Sequence, residues 1–167
     1  MPSLPTSFSF YLSYMNQEIQ SIIRRIESVN NGEPWFGRAA YSIMEEVNAK
    51  KAYIKPNNTE HSLIELLYHM ITWADFTLKR IEKNKKNDLT TSEKLDWRAI
   101  NPKIHTWKKG LAEFKAIHKK IVALLQTKDD DFLLEMVDYR KYNFRFLING
   151  MIQHLSLIHI SEPTRLL

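Results

Sequence analysis

The chain has 167 residues, of which 44% are hydrophobic and 26% charged, values that fit one globular domain and exclude a disordered or fibrous protein. It contains no cysteine, which excludes disulfides, thiolate metal ligands and a cysteine nucleophile and leaves histidine and carboxylate side chains as candidate metal ligands. The net charge of +5 at pH 7 raises nucleic acid as a partner, and the positions of the basic residues must decide whether it is one.

Two helices are predicted in the first third of the chain. Apolar residues recur at three- and four-residue steps over residues 15–29, which indicates an amphipathic helix that stops at Gly32. A shorter helix is predicted over residues 38–48, and it ends before the turn residues that follow Lys55.

The next helix has a clear start signal. Ser62 followed three residues later by Glu65 forms a capping box, and the apolar stripe that follows predicts a helix to about Lys83. His69 lies on this stripe, so we expect its ring to face the core.

A further long helix is predicted to begin near Pro102, which suits the first turn of a helix, and to continue to about Leu125. Its apolar stripe includes Ile104. His118 falls at the edge of that stripe beside a lysine, so we expect it to be exposed or to support a site rather than to bind a metal.

The last helix is predicted to begin near Asn143, after the aspartates at 129–131 cap a short piece over residues 132–137. It places His154 on the same face as Leu147, seven residues earlier. The chain therefore carries a second histidine on the interior face of a second helix.

Long helices, short loops and few strand candidates predict an all-α fold, an antiparallel four-helix bundle formed by residues 15–154. We expect residues 1–14 to be an N-terminal extension outside the bundle. No apolar run approaches the roughly 18 residues that span a bilayer, and the first residues lack the basic start and cleavage site of a secretory signal. We therefore expect a cytoplasmic protein with no membrane partner.

Residues 155–167 differ in origin from the rest of the chain. The string LSLIHISEPTR matches the in-frame translation of a transposase-type sequencing adapter at every position. We therefore interpret 155–167 as an adapter-derived artefact, which leaves the last helix truncated near His154.

The two interior histidines, His69 and His154, are the candidate metal ligands, because bundle metal sites are built from side chains that project inward from facing helices. Each alone also fits a core histidine hydrogen-bonded to a neighbour. For His61 a contact with Leu66 at the helix start is sufficient, and His105 is expected to be solvated on a lysine-bearing face. His159 is rotated by about 140° from His154 on a helix and cannot share an ion with it.

The segments EPWFG at 33–37, HSLIELLYHMITW at 61–73, the pair Asp96-Trp97 and NGMIQH at 149–154 together resemble the DinB/YfiT superfamily of metalloproteins. The resemblance covers about residues 15–154. It implies a four-helix bundle that holds one divalent ion, typically Zn or Ni, by three histidines. His69 matches the first and His154 the second, whereas the third position, one helical turn later, holds Ile158.

The resemblance implies a metal-dependent enzyme, either a small-molecule hydrolase or a thiol-dependent S-transferase that uses a low-molecular-weight thiol, and a homodimer. A three-histidine site with an open coordination position is the catalytic pattern, whereas two ligands hold metal weakly. Tyr68 and Trp73 are candidates to line the pocket.

Two other functions remain open. One is a non-catalytic metal-binding or dimerising module with structural histidines. The other is nucleic-acid binding, based on the charge alone. Lys79, Arg80 and Lys83 follow an apolar helix and are typical of a solvated helix end, so nucleic acid is not the predicted partner.

Overall fold

The computed structural model describes residues 16–34, 37–57, 60–84 and 89–161, the last six of them by backbone alone. Within these ranges the chain is all-helical, as predicted, with an isolated bridge between Met136 and Asn143 but no strand. Its α-helices are α1 (Gln17–Asn31), α2 (Ala40–Glu46), α3 (Leu63–Ile81), α4 (Leu89–Leu95), α5 (Trp107–Leu125) and α6 (Phe144–Ser161), and short 3-10 turns span Lys51–Tyr53 and Asp131–Leu134. The proposed extension at 1–14 and the end of the chain at 162–167 lie outside the described residues.

The predicted end of α1 at Gly32 and the predicted capping box at the start of α3 are both present in the structure. The backbone N–H of Gly32 closes α1 by bonding to the carbonyls of Glu27 and Ser28. The capping box at α3 is formed, with the backbone N–H of Ser62 donating to the Glu65 carboxylate at 2.7 Å. Both helices are therefore bounded by local interactions that the sequence specifies.

The start of α5 was predicted five residues too early. The helix begins at Trp107, and Thr106 caps it by accepting a hydrogen bond from the Lys109 backbone N–H at 3.3 Å. Residues 101–105 form a turn before it, in which the backbone N–H groups of Ile104 and His105 both bond to the Asn101 carbonyl. Ile104 is consequently 53% exposed instead of buried, because it belongs to the turn and not to the helix face.

The aspartates at 129–131 do more than cap a local turn. Asp129 caps it as predicted, by accepting from the Phe132 backbone N–H at 3.0 Å. Asp130 instead reaches the first turn of α1, where its carboxylate accepts from the backbone N–H groups of Glu18 at 3.1 Å and Ile19 at 2.8 Å. A carboxylate there also complements the positive end of the helix dipole.

The four long helices contact each other in a ring. α3 packs most extensively on α5 and also contacts α6, while α1 contacts both α5 and α6. The core between them is apolar, with the largest fully buried side chains including Ile19, Ile22, Ile26, Leu67, Phe114, Ile121, Leu125, Phe144 and Ile148. Among the residues described, none of the helices has the length and apolar character needed to cross a membrane.

Candidate functional site

His69 on α3 and His154 on α6 meet inside the ring of helices. Their Nε2 atoms are 3.2 Å apart, and the two rings are nearly perpendicular, at 79°. The His69 side chain is 11% exposed, and His154 is half-buried. The two histidines singled out by their positions on interior faces are thus brought together by separate helices.

Asp96 orients the His69 ring. Its Oδ1 atom forms a hydrogen bond with His69 Nδ1 and also accepts from the Trp97 backbone N–H at 3.1 Å. Since a carboxylate oxygen accepts, Nδ1 of His69 donates, which leaves the Nε2 lone pair of a neutral ring directed toward His154. Carboxylate partners of this kind orient histidines that ligate metals.

Sequence reasoning included Asp96 only through the family resemblance and assigned it no role. Asp96 directly follows α4, a helix that was not predicted because its sequence LTTSEKL has no apolar stripe. The contact of α4 with α3 brings Asp96 to His69.

The ring of Trp97 stacks on two histidines. Its ring lies 3.6 Å from that of His61 and 4.0 Å from that of His69, both nearly parallel at 15°. Trp97 has a left-handed backbone with φ of 46°, an unusual conformation for a large side chain. His61 therefore belongs to the edge of the site, beyond the contact with Leu66 that was expected of it.

His154 is suited to act as a neutral ligand. Burial lowers its pKa, and the nearby His69 ring lowers it further, against an opposing effect of Asp96. A neutral imidazole has a free lone pair, which is the form that binds metal ions.

An apolar groove of about 340 Å³ borders His154 between α3 and α6. Trp73 lines it, as proposed, whereas Tyr68 is not among its lining residues and packs instead against the ring of His105 at 4.8 Å. His105 remains partly exposed, and its Nδ1 accepts from the Asn101 backbone N–H at 2.9 Å.

His118 of α5 also lines this groove. It is 2% exposed, which contradicts the expectation of an exposed edge position, because α5 packs against both α1 and α3 and so buries a broader face than one stripe. Its Nδ1 bonds to the Phe114 carbonyl at 2.9 Å, and its Nε2 has no hydrogen-bond partner among the described residues. Burial lowers its pKa to about 4.

The sequence model of the DinB superfamily matches residues 37–157, most of the chain. The chain belongs to the DinB superfamily. No curated protein and no solved structure matches this chain. The matched range includes His69, Asp96, His118 and His154, so the whole described site lies within the DinB region.

The described side chains of this DinB-superfamily chain supply two facing histidines and no larger ligand set. Among them, no group of three or more His, Cys, Asp or Glu is arranged to hold a metal ion. Position 158 lies on α6 one turn beyond His154, and the side chains of Ile158 and His159 lie outside the described set.

Proposed function

We propose that His69 and His154 are two of the three ligands of a divalent-metal site, for Zn or Ni, in a cytoplasmic metal-dependent enzyme. The supporting observation is the 3.2 Å separation of their Nε2 atoms. Two imidazole nitrogens that bind one zinc ion at about 2.0–2.1 Å with tetrahedral angles lie about 3.3 Å apart. The separation of the two nitrogens therefore supports the proposal that they share one ion.

In this proposal Asp96 positions His69. The third ligand is a histidine that this sequence lacks: its position is taken by Ile158, which lies in the segment interpreted as adapter-derived. The bound ion would acidify a water or a thiol, or polarise a carbonyl group. The reaction class is small-molecule hydrolysis or thiol-dependent S-transfer with a low-molecular-weight thiol. The long helices would form an antiparallel bundle around the site, and the family resemblance favours a homodimer.

Substituting Ile158→His tests the ligand set, because α6 is continuous through Ser161 and places position 158 one turn after His154. We expect isothermal titration with Zn(II) or Ni(II) to show weak binding by the chain as given. The variant should bind the metal more than about 100-fold more tightly than the unchanged chain. A direct ligand is expected to contribute more to affinity than the roughly 10- to 100-fold that outer hydrogen-bond partners contribute. Ile160→His, at the same type of residue but on another face of the helix, is the matched control. Equal affinities for the unchanged chain and Ile158→His would contradict the proposal.

The role of Asp96 is tested in the Ile158→His background. Removing its carboxylate with Asp96→Ala frees the His69 ring, and we expect zinc affinity to fall by about 10- to 100-fold. Asp75→Ala is the control, since Asp75 lies on the same helix as His69 but pairs with Lys79 at 2.6 Å. The assignment of Asp96 is wrong if both alanine variants bind zinc equally.

A non-catalytic module is the second candidate, because 3.2 Å is also a hydrogen-bond distance between the two rings. The histidines would then stabilise the packing of α3 on α6. Metal-stimulated turnover by Ile158→His separates the two functions, with p-nitrophenyl acetate as the ester and 2-mercaptoethanol plus an electrophile as the transfer assay. Stimulation favours the enzyme, and metal binding without turnover favours the module.

A further inference from the structure

We propose that the groove between α3 and α6 binds an uncharged, largely apolar small molecule with one hydrogen-bond donor, and that Nε2 of His118 accepts that hydrogen bond. This deepens the proposed function by naming a substrate class for the same site. It rests on that function for the reaction but not for the binding.

The walls of the groove select against charge. They comprise Met70, Trp73, Ala74, Phe76 and Thr77 of α3, His118 of α5, Tyr142, and Phe146, Leu147, Gly150, Met151, His154 and Leu155 of α6. No acidic side chain, lysine or arginine is among these described lining residues. A charged ligand would lose its hydration without gaining a partner. The 340 Å³ volume is near the lower end of small-molecule sites and suits one or two fused rings.

His118 supplies a buried acceptor in a mostly apolar wall, whose other polar side chains include Thr77, Tyr142 and His154. The Phe114 carbonyl can only accept, so Nδ1 of His118 carries the proton, and Nε2 of the neutral ring carries a lone pair. The lowered pKa keeps the ring neutral near pH 7. Buried polar atoms are normally hydrogen-bonded, and Nε2 has no partner among the described residues. Nε2 is itself fully covered, so a donor on a bound molecule would reach and satisfy it only as the neighbouring side chains move aside.

The groove connects this acceptor to the paired histidines. His154 lines the same groove and lies against His69, so a molecule seated on His118 extends toward the position proposed for the metal. Gly150 also lines the groove, and an added Cβ at this position would meet nothing within 4 Å. A larger side chain at this position would obstruct the groove without contacting His118.

The test compares indole with benzofuran, which share a shape but differ in the N–H donor. Binding is measured with EDTA present, by following the methionine methyl resonances of Met70 and Met151, with Met44, which is outside the groove, as the internal control. We expect both probes to shift the two groove methyls, and indole to bind about 3- to 10-fold more tightly than benzofuran. His118→Phe should abolish that preference, and Gly150→Leu should weaken the binding of both probes.

The proposal is overturned if neither probe shifts Met70 and Met151, if the unchanged protein binds both equally, or if indole keeps its advantage in His118→Phe. If His118→Phe fails to fold, the binding of indole and benzofuran to the unchanged protein and to Gly150→Leu still tests the proposal. Because these measurements exclude metal, a failure of metal binding or turnover would leave them unaffected, and the reverse also holds.

Discussion

His118 makes the stability of the protein depend on pH. Its pKa is lowered to about 4 by burial, against 6.5 for an unperturbed imidazole. Between these pH values the folded protein binds fewer protons at this site than the unfolded chain does. The neutral ring therefore contributes stability that is fully present above about pH 6.5 and is lost as the pH falls toward 4.

Removing the imidazole should remove this dependence. We expect the free energy of unfolding of the unchanged protein to lose on the order of 3 kcal/mol between pH 7 and pH 4 through His118 alone. His118→Phe should lack this loss. Urea titrations of both proteins across this range measure it, because carboxylates titrate similarly in both and cancel in the difference. Parallel pH profiles for the two proteins would show that His118 is not protonated on unfolding in this range.

The residues of the site differed in how far the sequence could predict them. His69 and His154 lie on strongly periodic stripes, so their interior positions followed from helical spacing. His118 lies at a stripe edge, and spacing cannot tell whether a second helix covers that edge. The role of Asp96 depends on α4, whose polar sequence has no apolar stripe to mark it as a helix.

At the scale of the helices, two glycines occupy opposite environments. Gly110 is where α5 approaches α3, and an added Cβ there would lie 2.9 Å from Leu67 Cδ2 and 3.1 Å from Tyr68 Cε2, on side chains that are both buried. Gly150 is in α6, and its Cβ would enter open space. The same substitution should therefore have opposite effects on stability.

We expect Gly150→Ala to raise the free energy of unfolding by about 1 kcal/mol, the usual difference in helix propensity between the two residues. In Gly110→Ala this gain is outweighed by overpacking, which typically costs about 1–3 kcal/mol, so that variant should be less stable than the unchanged protein. Chemical denaturation followed by circular dichroism gives both values. The close approach of α3 and α5 would be refuted if the two variants were stabilised equally.

At the scale of the whole molecule, the all-α class followed from apolar spacing, but the neighbours of each helix did not. A periodic stripe shows that a helix has a buried face and leaves open which helix covers it. The Asp130 cap on α1 illustrates this, since it joins residues more than a hundred positions apart. Such contacts arise only once the helices have assembled.

The positive charge is distributed over the molecule and partly neutralised. Basic side chains on several elements pair with carboxylates, in the ion pairs Arg38–Glu46, Lys55–Glu65, Lys79–Asp75, Lys83–Glu135, Lys115–Glu45 and Arg145–Glu18. Binding to a nucleic-acid backbone depends on unpaired cations that displace counterions from successive phosphates. In the part of the chain that the structure describes, these six pairings reduce the number of cations that are available to contact successive phosphates.

We therefore expect no saturable binding of a fluorescent DNA duplex at protein concentrations below about 100 µM in 150 mM salt, the weak limit of non-specific binding. Fluorescence anisotropy over a range of salt concentrations measures this. The double substitution Glu45→Lys and Glu135→Lys removes the partners of Lys115 and Lys83 and should tighten binding, which shows that the assay detects a basic surface. Tight binding by the unchanged protein with a steep salt dependence would instead mean that its cations act together, and nucleic acid would return as a partner.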